Sequence, residues 1–189
     1  MHGFVRDRNG NTSAFDPPGS LETIPTAIND SGQVVGRFMN SESPGHGFLR
    51  NSDGTFDDFD LPGSFFTNPN AINNSGEVVG YAVFNIDSNI ISRGFVRDRK
   101  GKIIVFDAPG AFSNTGATGI DPSGNIVGYV DSLNFGGPHA FVRNKSGSFV
   151  VFDAPDSSST TARGINASGR IVGDFSDLDG FGHGFLAVP

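Results

Sequence analysis

The chain has 189 residues, with 27 glycines, 11 prolines, 19 phenylalanines and neither cysteine nor tryptophan. That composition excludes disulfides, thiolate metal sites and a cysteine nucleophile, and it points away from a helical protein. The formal net charge of −7 lacks the basic face that nucleic acid or an anionic membrane surface requires, so neither is expected as a partner.

No apolar run approaches the roughly 18 residues that span a bilayer, so no membrane insertion is expected, and Met1-His2 opens on a repeated segment, so no signal peptide is read here. A first strand pair runs from His2–Arg6, through a turn at Asp7–Asn11, to Phe15–Gly19. The same pair returns as His46–Arg50 with Phe59–Gly63, Arg93–Arg97 with Phe106–Gly110, and His139–Arg143 with Phe152–Pro155; a fifth opening, His183–Leu186, has no partner. Between them stands Ala27–Gly36, which recurs as Ala71–Gly80, Gly119–Gly128 and Gly164–Gly173.

No window of eleven residues carries helical apolar spacing, so the chain reads as all-β. Phe4, Phe48, Phe95, Phe141 and Phe185 follow one another at intervals of 44, 47, 46 and 44 residues. A period near 45 with four short strands per unit is the signature of a β-propeller blade. Strand a ends in Ala-Ile-Asn, an Asp/Asn-Ser-Gly turn follows, strand b is Val-Val-Gly, strand c holds His-Gly-Phe-Val-Arg, and strand d ends in Phe-Asp. Asn, Asp, Ser and Gly at the turns supply positive φ angles and side-chain bonds to the backbone.

The a–b and c–d hairpins keep one length throughout, whereas the b–c and d–a connections vary. The variable connections leave a blade from the same edge, so one face of the disc carries the diverse loops, where binding usually sits. Three complete blades are expected at about 26–60, 70–107 and 117–153, and a fourth from 1–25 together with 164–189. The prediction is a single four-bladed β-propeller over 1–189, its ring closed by the termini. The strand His183–Val188 is then surplus: it could replace Met1–Arg6 in the last blade, add as an edge strand, or pair with another chain, and an exposed edge strand invites self-association.

The segments "GHGFL", "PHAFV", "FDAPG" and "GINASGRIVG" resemble, over nearly the whole chain, the bacterial extracellular repeat family named after its His-Ala-Phe tripeptide. The tripeptide is intact only at His139–Phe141. The resemblance implies a secreted or cell-surface protein and no defined activity.

Candidate sites follow the repeat. His2, His46, His139 and His183 enter strand c alike. One shared metal is excluded, because strand c lies two strands from the axis and at about 4.8 Å per strand opposite histidines stand some 20 Å apart. Each ring is expected to bond a loop carbonyl, with His46, His139 and His183 also able to touch a ligand. Arg6, Arg50, Arg97 and Arg143 must reach solvent or pair with the repeat's carboxylates or loop carbonyls. Asp16, Asp60, Asp107 and Asp153 are expected to bond backbone N–H groups two residues on.

Asn29, Asn73, Asp121 and Asn166 end the innermost strand, where four oxygens around an axis could hold Ca²⁺ or Na⁺; the same residues also begin the Ser-Gly turn. No other cofactor is required. The acidic run Asp174–Asp179 is a second calcium candidate without the spacing of a known loop. At the loop-face mouth of the channel stand Thr26, Asn70, Thr118 and Arg163, with Arg163 the single cation. With Phe84, Phe135 and Phe181, and with the loop rings Phe65, Phe66 and Phe112, they could line a shallow pocket or pack between blades.

The leading expectation is a binding module for a carbohydrate or other small molecule on the loop face. A structural or self-assembling surface repeat is the alternative, and a propeller enzyme working around Arg163 and the loop histidines is a third. No nucleophile motif, phosphate-binding glycine loop or zinc signature is present in the sequence.

Overall fold

The computed structural model describes residues 1–42, 44–131 and 137–188. Within them the regular elements are all β-strands, gathered into five antiparallel sheets. β1 (Gly3–Arg6) and β2 (Thr12–Phe15) pair alone. Three four-stranded sheets follow. The first holds β3 (Glu22–Ile28), β4 (Val34–Met39), β5 (His46–Arg50) and β6 (Phe56–Phe59). The next holds β7 (Ser64–Ile72), β8 (Val78–Ile86), β9 (Asn89–Arg97) and β10 (Ile103–Phe106), and the third β11 (Thr115–Ile120), β12 (Ile126–Asp131), β13 (Pro138–Arg143) and β14 (Phe149–Phe152). The fifth sheet is β15 (Ser157–Ile165), β16 (Ile171–Asp177) and β17 (Gly182–Ala187). Spatial order equals sequence order in every sheet, so strands a to d are joined by hairpins as the repeat predicts.

The turns use the expected chemistry. Asn29 Oδ1 accepts bonds from the backbone N–H groups of Ser31 and Gln33 at 3.1 and 3.0 Å, and Gly32 takes the positive φ of 77° that closes the turn. Each strand a also contains a bulge, where the pairing register slips between Pro25 and Ala27, Pro69 and Ala71, Ala117 and Gly119, and Ala162 and Gly164. The bulge drives a carbonyl toward strand b and accounts for its glycine. A Cβ on Gly128 would stand 2.0 Å from the Gly116 carbonyl oxygen and 2.8 Å from the Phe141 ring.

Sheets pack face to face in chain order, and the phenylalanines make the joints. The strand c rings of Phe48, Phe95 and Phe141 are fully buried. Each meets edge-on the strand d ring of the sheet before it: Phe48 on Phe15, Phe95 on Phe59 and Phe141 on Phe106, with centroids 6.1 to 6.2 Å apart. Buried strand b valines complete the joints: Val34 beside Phe48, Val35 beside Phe95 and Val79 beside Phe141, with Val127 in the next joint beside Phe152 and Phe185.

The strand c arginines reach loop carbonyls as expected, Arg50 donating to Asn51 O at 3.2 Å, Arg97 to Asp98 O at 3.4 Å and Arg143 to Asn144 O at 3.4 Å, and they make a further contact that the expectation lacked. Their guanidinium groups lie over the strand d phenylalanine of the preceding sheet: Arg50 over Phe15 at 5.0 Å, Arg97 over Phe59 at 5.0 Å and Arg143 over Phe106 at 4.9 Å. Of these, Arg97 alone also pairs with a carboxylate, Asp57.

Among the described residues five sheets stand where four blades were expected, and no strand pairing joins the first sheet to the last. β1 and β2 do not complete the last sheet; β17 sits beside β16 as its strand c. The reason is local: β17 is itself a copy of strand c and adjoins β16 through a short loop, so it takes that edge first. On the outermost sheets Phe4 is 64%, Ile28 61%, Val172 51% and Leu186 60% exposed.

Candidate functional site

The histidines bond carboxylates, a partner absent from the sequence expectation. His2, His46 and His139 use Nδ1 on the carboxylates of Asp16, Asp60 and Asp153, at 2.7, 2.5 and 2.7 Å. Arg93 substitutes for histidine against Asp107, 3.4 Å away. The aspartates accordingly hold a strand c side chain and not the backbone two residues on. Sequence reasoning overlooked a further repeated residue, the fully buried threonine that opens strand a: Thr23, Thr67, Thr115 and Thr160. Thr23 Oγ1 donates to Asp16 Oδ1 at 2.6 Å, and Thr115 and Thr160 accept the N–H of Ala108 and Ala154 at 3.1 and 3.0 Å.

The Thr23 hydroxyl, and then His2, hold the Asp16 carboxyl below the usual carboxylate range. In a Ser-His-Asp arrangement the hydroxyl faces the imidazole. Here the threonine hydroxyl bonds the carboxylate, so the trio fastens strands together and sets up no nucleophile. Its signal was visible as a Thr seven or eight residues after each repeat aspartate.

At the channel mouth the residues are occupied by the fold. Thr26, Asn70, Thr118 and Arg163 are the bulge residues of strand a. Thr26 donates to Pro69 O at 2.8 Å, Asn70 to Ala117 O at 2.7 Å and Thr118 to Ala162 O at 2.6 Å, each stapling its sheet to the next. Arg163 has no following sheet and folds onto Asp174 of its own, with Nε 2.5 Å and a terminal nitrogen 3.2 Å from the carboxylate oxygens. That carboxylate raises the arginine pKa further.

Asn29, Asn73, Asp121 and Asn166 each spend Oδ1 on two backbone N–H groups of the turn. Asn29 and Asn73 also reach the next sheet's carbonyl, on Asn73 and Asp121. Among the described residues no cluster of three or more acidic or histidine side chains is placed to hold a metal.

The loop aromatics disperse. Phe84 is buried in the core beneath Arg93, and Phe66 stacks on Tyr81 with Arg37 over it. Phe65, Phe112 and Phe181 are exposed, and Phe135 lies outside the described residues. His183 turns to Asp177, its Nε2 2.8 Å from Oδ2. Among the described residues these side chains do not line one pocket.

A cavity opens elsewhere, between the fourth and fifth sheets. It has a volume of about 410 Å³ and is lined by Val142, Val150, Phe152, Ile165, Ile171 and Ala187. Its origin is a single substitution in the repeat. Where strand c ends in Arg50, Arg97 or Arg143, β17 ends in Ala187, so no guanidinium lies over the Phe152 ring. The matching space one sheet earlier, which Arg143 lines beside Val96 and Ile104, is only about 170 Å³. The glycine of strand c differs as well: a Cβ on Gly3 or Gly94 would strike the ring of Phe15 or Phe106, but Gly184 has no ring against it. The sequence carried this signal in the final "HGFLA".

No family model and no curated protein matches the chain. Solved structures do. Over 100% of its length the chain resembles 62% of a streptogramin B lyase (14% identity, TM-score 0.56) and 49% of TolB from Acinetobacter baumannii (14%, 0.59). Over 88% of its length it resembles 24% of dipeptidyl peptidase 4 from Porphyromonas gingivalis (12%, 0.59). The chain thus spans about three fifths, half and a quarter of those proteins. At such identities the likeness shows the β-propeller fold alone.

Proposed function

We propose that the chain is a recognition module, working by binding and not by catalysis, whose ligand seat is the apolar cavity over Phe152. The observation that carries the reading is the uncovered Phe152 ring. In three other joints the same ring position holds a guanidinium, and around Arg143 the space is lined by Val96, Ile104, Ile120 and Ile126. The seat therefore suits an arginine-like cation: a flat charged head for the ring face and an apolar stem for the walls.

Charge favours the same class, since a chain of net charge −7 attracts cations. A partner carboxylate is not required. Arg143 sits over Phe106 without one, although burial pulls its pKa down. The His-Ala-Phe resemblance supports an exported bacterial repeat protein as the setting. A glycan on the loop face is the second reading, favoured by the exposed rings of Phe65, Phe112 and Phe181.

A thermal-shift series decides between them. L-arginine amide at about 100 times its dissociation constant adds roughly 2.7 kcal/mol to the native state, several degrees for a chain of this size. The shift is expected with the native chain and lost in Ala187→Arg, which fills the seat from within. A shift produced by an oligosaccharide and retained in Ala187→Arg would move the site to the loop face.

A further inference from the structure

We infer that the face opposite the variable loops holds a second binding site, independent of the seat over Phe152, and that it takes a soluble phosphate monoester. The site is an open pocket of about 500 Å³ between the turns of the third and fourth sheets, lined by Ser75 and Glu77, by Asp98, Arg99 and Lys100, and by Lys145. Lys102 lines the adjoining narrower space of about 170 Å³, which shares Glu77, Asp98 and Lys145. The chain has three lysines, and all three stand here, on two different sheets.

The fold does not call for these cations. Each c–d turn closes on the same glycine, with a positive φ of 89° at Gly10, 92° at Gly54, 88° at Gly101 and 96° at Gly147. Asp98 Oδ1 accepts the N–H groups of Lys100 and Lys102 at 2.8 and 3.0 Å, as Asp7 Oδ1 accepts those of Asn9 and Asn11. In the other turns a side chain bonds back onto the turn itself: Asn11 onto Asp7, Thr55 onto Asp53 and Ser146 onto Asn144. The third sheet has Lys100 and Lys102 at those positions. Among the described residues, their side chains and that of Arg99 make no hydrogen bond or ion pair. The backbone of the turn is common to the repeat, and the cations are particular to this one.

Neighbouring turns hold the cations around one space. Lys145 reaches from the fourth sheet to Glu77 of the third, its Nζ 3.7 Å from Oε1, and its stem crosses Gly124, where an added Cβ would stand 3.4 Å from it. The Arg99 side chain starts over the a–b turn, its Cβ 3.5 Å from where a Cβ on Gly76 would lie. Both carboxylates of the pocket are already engaged: Glu77 Oε2 accepts from Asn73 Nδ2 at 2.7 Å, and the Lys102 N–H holds Asp98 below the usual carboxylate range. A guanidinium and two ammonium groups thus line one space from two sheets, with Ser75 beside them. Donors that converge from several directions suit a tetrahedral oxyanion, and a phosphate monoester brings a charge of about −1.5 to −2 at pH 7. The volume exceeds that of a bare phosphate and leaves room for the esterified group. The net charge of −7 opposes an anion only weakly here, because exposed charges beyond a Debye length of about 8 Å are screened. An anionic bilayer would meet the acidic remainder of the surface, so the ester is a soluble one.

Isothermal titration calorimetry of the full chain in low-salt, phosphate-free buffer tests the inference, with D-glucose 6-phosphate as the probe and D-glucose, D-glucose 6-sulfate and inorganic phosphate in parallel. The sugar phosphate is expected to bind saturably, inorganic phosphate more weakly and glucose not at all. Among the described residues no histidine lines the pocket. Lowering the pH from about 7.5 to about 5.5 therefore acts on the ester, through its second ionisation at about 6, and should weaken the phosphate while leaving the sulfate unchanged. The double variant Lys100→Ser, Lys102→Ser copies Ser146 and Ser148 of the next sheet, so it should keep its Tm and lose roughly tenfold or more in affinity. Lys145→Ser should act in the same direction. Glu77→Gln should bind more tightly, since Gln33 makes the same bond to Asn29 in its own turn, and Ala187→Arg should bind as the native chain does. Undiminished binding by the double variant, an equal response to glucose, or no response to the sugar phosphate overturns the site. Inorganic phosphate bound as tightly as the ester overturns the ester, and a flat pH profile overturns the phosphate. Retention on phosphatidic acid vesicles, competed away by the sugar phosphate, overturns the soluble source.

Discussion

The guanidinium carbon of Arg143 lies 4.9 Å from the centroid of Phe106, one sheet back in the row. One repeat later Ala187 leaves Phe152 bare. The pair defines what the empty position has lost. Ala187→Arg should restore a cation–π contact of about 0.5–2 kcal/mol and raise Tm by a few degrees. Arg143→Ala should lower Tm and open a second cavity over Phe106. Thermal unfolding of both variants checks the pair; equal and opposite small shifts fit the account, and a destabilised Ala187→Arg does not.

Thr115 is fully buried and accepts the Ala108 N–H at 3.1 Å. Thr115→Val keeps the shape and leaves that N–H without an acceptor, at a cost of about 1–3 kcal/mol. Urea unfolding should show a lower midpoint with an unchanged slope.

Gly128 faces a backbone oxygen that cannot retreat without unmaking the bulge in β11. Gly128→Ala should cost on the order of 3 kcal/mol or more, or prevent folding, because the methyl collides with Gly116 O and the Phe141 ring together. Gly182→Ala, with open space around it, is the matched control and should be close to neutral.

Acid sensitivity follows from the turn and strand carboxylates. Asp16 is held below its ordinary pKa by Thr23 and then His2, Asp98 by the Lys102 N–H, and Asp177 by His183 and then the Phe181 N–H. A depressed folded pKa gives stability that is present above the unfolded value, about 3.9, and is lost as pH falls through the lower folded value. Asp58, raised by its burial, acts in the opposite sense. Tm should hold from pH 7 to about 5 and fall below about 4, and Asp177→Asn should make that fall shallower.

The blade plan was legible because its strands are short, its turns carry their own chemistry and its period is regular. Asn29 and Gly32 announce a turn without help from the rest of the chain. The joints between sheets were less legible. Arg143 and Phe106 lie far apart in sequence, and only packing shows that the arginine lies over a ring of the preceding sheet. The channel-mouth residues misled for a related reason: Thr26, Asn70 and Thr118 look like an exposed rim in one dimension, yet the bulge turns each toward the neighbouring sheet's carbonyl. The partner of β16 was not legible because β1 and β17 are copies of one strand, and pattern alone does not rank two copies. Ala187 stood in plain sight, but its meaning depends on what Arg50, Arg97 and Arg143 do.

The most direct test of the guanidinium seat is an NMR titration of the methyl groups of Ala187, Val142 and Ile171 with L-arginine amide. The account predicts saturable shifts confined to these methyls and to the Phe152 ring, absent in Ala187→Arg. Unmoved cavity methyls at saturating ligand, or shifts centred instead on the loop rings Phe65 and Phe112, would contradict it.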